Sequence, residues 1–292
     1  MKLFDGLEQI VKTDVPLSEH TWFQIGGPAK YFVEPRTVEE LTTVQRRCME
    51  NDVPVFVLGS GANLLVSDAG VKGAVVRLGK GELTDVAPTE TGIRAGAGAD
   101  MSKLVLHCVR EGLSGLECLT GIPGTVGGCV RMNAGGAFGD IGSVVESVNV
   151  MTEKGEVFTR FKDDLAFAYR STNITAKYII GAQFRLHEDD PQRILKQVKQ
   201  IWIYKKNTQP LAKRNAGCIF KNPRGLSAGA LIDRAGLKSK RIGGAYVSDK
   251  HANFILADAG AKAFDVLKLI ELIRETVYRK FEVYLELELE VW

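Results

Sequence analysis

The chain of 292 residues has little of what marks the simplest functional classes. Its four histidines show no zinc-ligand spacing, and its five cysteines (Cys48, Cys108, Cys118, Cys129 and Cys218) are odd in number and form no Cys-x-x-Cys pair. Neither a disulfide framework nor a structural metal is indicated, and no metal is expected. A surplus of one charge is also missing, because 38 basic residues face 35 acidic ones and the net +3 predicts no special partner. No apolar run suits a bilayer. The charge-free stretch Cys118–Val130 is too short and too rich in glycine, and Met1–Lys12 carries Lys2, Asp5 and Glu8 where a signal peptide needs an apolar core. The expectation is a cytoplasmic protein without a membrane partner.

What is present is ordinary globular material, 45% hydrophobic and 25% charged, at about twice the usual length of one domain. Thr37 and Glu40 form a capping box for a helix carrying Leu41, Val44 and Cys48, and a strand follows at Val53–Leu58. Further strands are expected at Val71–Leu78 and Gly92–Ala97, with Asp100 capping a helix that stops at Gly112. Val144–Met151, Glu156–Phe161 and Tyr178–Leu186 read as strands. A helix bearing Ile194, Val198 and Ile201 leads into a linker, Lys205–Arg214. After it come a short helix at Ser227–Ala235, a strand at Asn253–Asp258 and a long helix with Val266, Ile270, Ile273 and Val277 on one face. Apolar residues alternate with polar ones over Val283–Trp292, which predicts a terminal strand.

Charge is unevenly placed. Between Pro191 and Lys250 fourteen lysines and arginines face only Asp233 and Asp249. Such a segment is either a solvated basic face or an anion site. It lacks the interleaved aromatics of a nucleic-acid platform, so no nucleic acid is expected and a phosphorylated small molecule fits better.

The 31 glycines are about half again the usual share. Gly59-Ser60-Gly61-Ala62-Asn63-Leu64 follows a strand directly, where free backbone N–H groups can cradle phosphate; a tight surface turn reads the same way. Leu64 stands where a Rossmann fingerprint needs its third glycine. A second loop, Gly121-Ile122-Pro123-Gly124-Thr125-Val126-Gly127-Gly128, continues toward Asn133 and lacks the Lys-Ser/Thr of a Walker A loop. An irregular backbone with free N–H groups at Gly61 and Gly127 is expected, and the pair of loops favours a dinucleotide.

Six motifs occur in order: His20-Thr21-x-Phe23-x-x-Gly26-Gly27-Pro28-Ala29, the Gly59 and Gly121 loops, Tyr169-Arg170-Ser171, Asn215-Ala216-Gly217-Cys218-x-Phe220-Lys221-Asn222-Pro223, and Ala228-Gly229-x-Leu231-Ile232-Asp233-x-Ala235-Gly236-Leu237-Lys238. Together they resemble the UDP-N-acetylenolpyruvoylglucosamine reductase family, in its compact second type, over nearly the whole chain. The resemblance implies an α+β protein: a two-part FAD-binding fold of the vanillyl-alcohol oxidase superfamily plus a third α/β substrate-binding domain. The divisions are 1–78 with the terminal strand 283–292, 79–205, and a UDP-sugar domain at 206–282. It implies FAD and NADPH as cofactors, a UDP-sugar substrate, and reduction of an enolpyruvyl C=C bond in peptidoglycan synthesis by a monomer. An FAD-dependent oxidase of an alcohol or 2-hydroxy acid is the alternative on the same fold.

By the same resemblance Gly59, Ser60, Gly61, Ala62, Asn63, Leu64, Gly121, Ile122, Pro123, Gly124, Thr125, Gly127, Gly128 and Asn133 bind the cofactor, and Tyr169, Lys221 and Asn222 the substrate. Arg170 would hold the substrate carboxylate, which guanidinium can do bidentately. Cys218 stands where the family has serine as proton donor, and a thiol is the stronger acid of the two. Glu288 falls on the family's terminal glutamate, with Glu286 and Glu290 two residues to either side. Thr208 replaces a lysine, whose charge Lys205 or Lys206 would supply. If the basic segment captures a diphosphate, substrate KM should rise with salt while flavin reduction by NADPH changes less; steady-state and rapid-mixing assays over a salt series check this, and tight salt-sensitive binding to duplex DNA would contradict it.

Overall fold

The computed structural model describes residues Leu3–Trp292; the first two residues of the 1–78 division lie outside it. Helix α1 (Val38–Glu50) begins where Thr37 accepts the Glu40 N–H at 3.1 Å. The reciprocal arm of the capping box shifts by one residue, since the Glu40 carboxylate takes the N–H of Arg36 at 2.7 Å. Asp100 caps α2 (Met101–Arg110) through the Lys103 N–H, and Gly112 follows with φ +66°.

A five-stranded antiparallel sheet runs in the order Val157–Phe161, Val145–Met151, Tyr178–Arg185, Gly92–Gly96, Val86–Thr89. A four-stranded sheet takes the order Val11–Pro16, Pro28–Val33, Val71–Arg77, Val55–Leu58, its last two strands parallel. The α+β expectation is met.

Three expected elements depart from the sequence reading, which also passed over the strands Val11–Pro16, Pro28–Val33 and Val86–Thr89. The second glycine loop is not irregular throughout, because α3 (Val126–Arg131) starts inside it with Thr125 accepting the Gly128 N–H at 3.3 Å. α4 runs Pro191–Thr208, so the first four residues of the expected linker are helical. The terminal strand shrinks to Glu290–Val291, paired in parallel with Leu64–Leu65. Leu285 and Leu289 bury themselves without regular pairing, and the intervening backbone bonds irregularly to residues 219–221.

The chain divides into two compact units, the second made of Val15–Ala29, Gly61–Val71 and Lys205–Trp292 and the first of the remainder. The first buries one core across α1, α2, α3 and the five-stranded sheet. The second packs Phe23, Ile25 and Leu65 with α5 (Ala228–Arg234), a three-stranded sheet over Arg241–Ala257 and α6 (Ala263–Phe281). Asp68 caps α6 from 195 residues away, its two carboxylate oxygens accepting the N–H groups of Ala263 at 2.8 Å and Phe264 at 3.1 Å.

In the first unit Glu34, 6% exposed, accepts from Arg77 Nε at 2.9 Å and pairs with Lys80 at 2.8 Å. Burial pushes its carboxyl pKa up, and the Lys80 and Arg77 hydrogen bonds and charges more than reverse this, leaving it below the ordinary 4.5. The folded state therefore binds this proton less tightly than the unfolded chain, so the stabilisation is present above the ordinary value and lost as pH falls through the depressed one. Glu34→Gln should cost about 1 kcal/mol at neutral pH and flatten the acid limb of a melting-temperature profile; an unchanged acid limb would contradict the assignment.

Candidate functional site

Within the first unit the two glycine loops meet. A Cβ at Gly59 would lie 3.0 Å from Thr125 Oγ1, so the chain leaving Val55–Leu58 passes directly against the residue that caps α3. Gly61, in the second unit, has φ +68°, and a Cβ there would strike the His20 carbonyl oxygen at 2.1 Å. The expected free N–H at Gly127 is absent, because it donates to the Ala97 carbonyl at 2.8 Å, and a Cβ there would meet Ala97 Cβ at 2.8 Å. Glycine at 127 lets α3 sit against a strand end. Its neighbours Ile122, Gly124 and Val126 are likewise used internally, Ile122 N–H by Leu119 O, Gly124 O by Met101 N–H and Val126 N–H by Ala99 O. The Thr125 hydroxyl and the close approach of Gly59 are features that fit a bound dinucleotide.

Asn133 is 3% exposed with φ +44°, and both ends of its amide are engaged: Nδ2 donates to Ala168 O at 2.9 Å and Oδ1 accepts the Gly142 N–H at 3.0 Å. It thus holds the hairpin that carries Tyr169 and Arg170. That hairpin pairs Ala168 with Ser171, leaving Tyr169 and Arg170 as its two-residue turn. Arg170 adopts φ +52°, and its guanidinium lies 5.2 Å from the Tyr169 ring centroid. A left-handed arginine costs on the order of 1–2 kcal/mol, and such strain concentrates where a side chain is needed for function.

The second unit brings Cys218 and Glu288 onto one backbone junction. Ile219 O accepts the N–H of Glu288 at 2.9 Å and of Leu289 at 3.3 Å, while Lys221 N–H reaches Glu286 O at 2.9 Å. Asn63 Nδ2 donates to Glu288 O at 2.8 Å, so its side chain tethers the terminal segment. Among the three alternating glutamates, Glu286 and Glu290 are exposed and Glu288 is half-buried. Glu286 pairs with Lys221 Nζ at 3.6 Å. Burial thus sets Glu288 apart from the other two.

Cys218 is half-buried and the other four cysteines are buried. Burial pushes the Cys48 thiol up to about 11 and, with a smaller push from Glu117, the Cys108 thiol to about 12, so neither is ionised at neutral pH. Gly217, with φ +74°, precedes Cys218, and its N–H donates to Asn215 Oδ1 at 2.9 Å. Asn222, expected to touch substrate, accepts the Ala228 N–H at 3.0 Å and so helps start α5. Lys205 is 5% exposed, and Lys250 Nζ donates to Lys206 O at 2.5 Å. Asn253, to which the sequence assigned no role, is 2% exposed, and its amide bonds both backbone groups of Phe220. A polar residue inside the apolar run Ala252–Leu256 was the available signal.

Comparison with known proteins places the chain. The family model described as UDP-N-acetylenolpyruvoylglucosamine reductase, C-terminal domain, matches residues 209–292, and one described as FAD binding domain matches 29–160. The UDP-N-acetylenolpyruvoylglucosamine reductase of Syntrophobacter fumaroxidans is 42% identical over 94% of this chain and 82% of its own length. That of Lachnoclostridium phytofermentans is 40% identical over 99% and 96%. The crystal structure of the Thermus caldophilus enzyme superposes with a TM-score of 0.84 at 38% identity, covering 97% of this chain and 98% of that one. Cholesterol oxidase from B. sterolicum, at 15% identity and a TM-score of 0.50 over 62% of this chain and 38% of its own, shares the fold alone.

Arg170→Gly relieves the left-handed strain, partly offset by the extra chain entropy of glycine. The melting temperature should hold level or rise while reduction of the enolpyruvyl substrate falls on the order of 10²-fold; a variant that melts several degrees lower with catalysis intact would reverse the assignment. Sequence identity across nearly its full length, two matching domain models and a superposition to 0.84 agree: the chain belongs to the UDP-N-acetylenolpyruvoylglucosamine reductase family.

Proposed function

We propose that this chain reduces the enolpyruvyl C=C bond of UDP-N-acetylglucosamine enolpyruvate to UDP-N-acetylmuramate, with NADPH as reductant and Cys218 as proton donor. The carrying observation is that Cys218 and Glu288 flank a single carbonyl, Ile219 O, which fixes a thiol and a carboxyl on adjoining backbone. Likeness to oxidases stops at the fold, whereas likeness to reductases extends through the C-terminal domain, which favours reduction over the oxidase alternative.

Gly59–Leu64, Gly121–Thr125 and Gly128 would hold FAD, which when bound takes a hydride from NADPH and passes it to the terminal carbon of the enol ether. The residues then act on the substrate. Arg170 would hold its carboxylate and remain charged throughout, a role lysine fills less rigidly. Charge that builds on that carboxylate as the C=C bond is reduced would be delocalised by the protonated Glu288 carboxyl. The Cys218 S–H would give its proton to the adjacent carbon, leaving a thiolate that solvent reprotonates. Tyr169, Lys221 and Asn222 would bind the UDP-sugar, and the basic segment supports assigning 206–282 to that substrate, with 1–78 and 79–205 sharing the cofactor. The enzyme would act as a monomer, and nucleotide-sugar chemistry driven by NADPH suits the cytoplasm.

Cys218→Ala should keep its flavin and be reduced by NADPH at the parental rate, because neither step uses the thiol. Reoxidation by the enolpyruvyl substrate should slow by a factor on the order of 10² or more, and Cys218→Ser should recover much of it. Rapid mixing resolves the two half-reactions, and an alanine variant that reoxidises normally would remove Cys218 from the mechanism.

A further inference from the structure

The Cys218 turn is held from one side by a residue that reaches no substrate in the reading above. Asn253 is 2% exposed and lies on the approach to the strand Ile255–Ala257. Its Oδ1 accepts the Phe220 N–H at 3.0 Å, and its Nδ2 donates to Phe220 O at 2.8 Å. Its backbone adds a third bond, the Ile219 N–H donating to Asn253 O at 2.9 Å. Phe220 is fully buried, so without the amide its N–H or its C=O would be left in an apolar surround without a partner, which is costly.

The three bonds fall on the two residues that follow Cys218, and Cys218 itself forms an antiparallel bridge with Phe254, next to Asn253. From the opposite side Glu288 and Leu289 bond the carbonyl of Ile219. Ile219 and Phe220 are thus gripped between Asn253 and the terminal segment, and the residue projecting from this grip is the thiol.

We infer that Asn253 is a positioning residue that fixes the Cys218 thiol against Glu288 for proton delivery. The inference rests on the proton-donor reading of Cys218, and it concerns orientation only: Asn253 acts through Cys218. An amide is the side chain that meets both demands of one residue's backbone. Asp can accept from the Phe220 N–H but, when ionised, cannot donate to its carbonyl; Ser is too short to reach both.

The test is a double-mutant cycle in the flavin-loaded enzyme with Asn253→Ser, Asn253→Asp, Cys218→Ala and the combinations. Flavin absorbance and NADPH reduction rate identify the folded, loaded fraction; Asn253→Asp, which preserves volume and one of the two side-chain bonds, stands in should the serine variant lose flavin. Each Asn253 variant should be reduced by NADPH within about twofold of the parent and reoxidised roughly 30-fold more slowly, with a larger solvent deuterium isotope effect on reoxidation. On the Cys218→Ala background the same substitutions should slow reoxidation no further, because the group being positioned is gone. Additive losses, or equal slowing of both half-reactions, would overturn the inference and mark Asn253 as purely structural. If instead Cys218→Ala reoxidises at the parental rate, it is the proton-donor reading that fails.

Discussion

Two amides, those of Glu288 and Leu289, converge on the carbonyl oxygen of Ile219, and the second unit is arranged around that junction. On one flank Asn253 satisfies both backbone groups of Phe220; on the other Asn63 draws in the carbonyl of Glu288. Two segments distant in sequence therefore close on one short piece of chain, and a third secures one of them. The hydrogen-bond demand of a buried backbone cannot be deferred, so each must arrive in register or leave polar groups unsatisfied. The thiol and the carboxyl inherit their placement from that obligation.

The elements most legible in the sequence are those fixed locally. Thr37, Asp100 and Ser227 each announced a helix start, and each accepts the N–H three residues on. Four strands of the five-stranded sheet fell within a residue of their expected limits, and the edge strand Val86–Thr89, with two exposed residues and a proline, gave no such signal. The family motifs carried the rest of the functional reading, from the glycine loops to Cys218.

Misreadings arose where distant contacts override local preference. Two glycines in its first turn make Val126–Arg131 a poor helix by propensity, but Thr125 caps it, and Gly127 lets it press on Ala97, which no local signal reveals. Alternation in Val283–Trp292 is a true burial pattern for Leu285 and Leu289. The backbone found its partners in residues 219–221 rather than in a regular ladder, and period-two patterning does not distinguish those cases. Asn63, Asn133 and Asn222 share a further lesson. Each spends at least one end of its amide on the protein's own backbone, a structural task that its motif alone does not reveal.

The cap that Asp68 places on α6 has a temporal side. A ribosome adds roughly 5–20 residues per second, and the two partners of that cap are separated by 195 positions. Asp68 is therefore made on the order of 10–40 s before the amides it caps, and Leu64–Leu65 waits longer still for Glu290–Val291. During synthesis the early segments of the second unit, Val15–Ala29 and Gly61–Val71, are carried along without their core. Phe23, Ile25 and Leu65 share their core with residues of 205–292, so this unit cannot close until that stretch has been made.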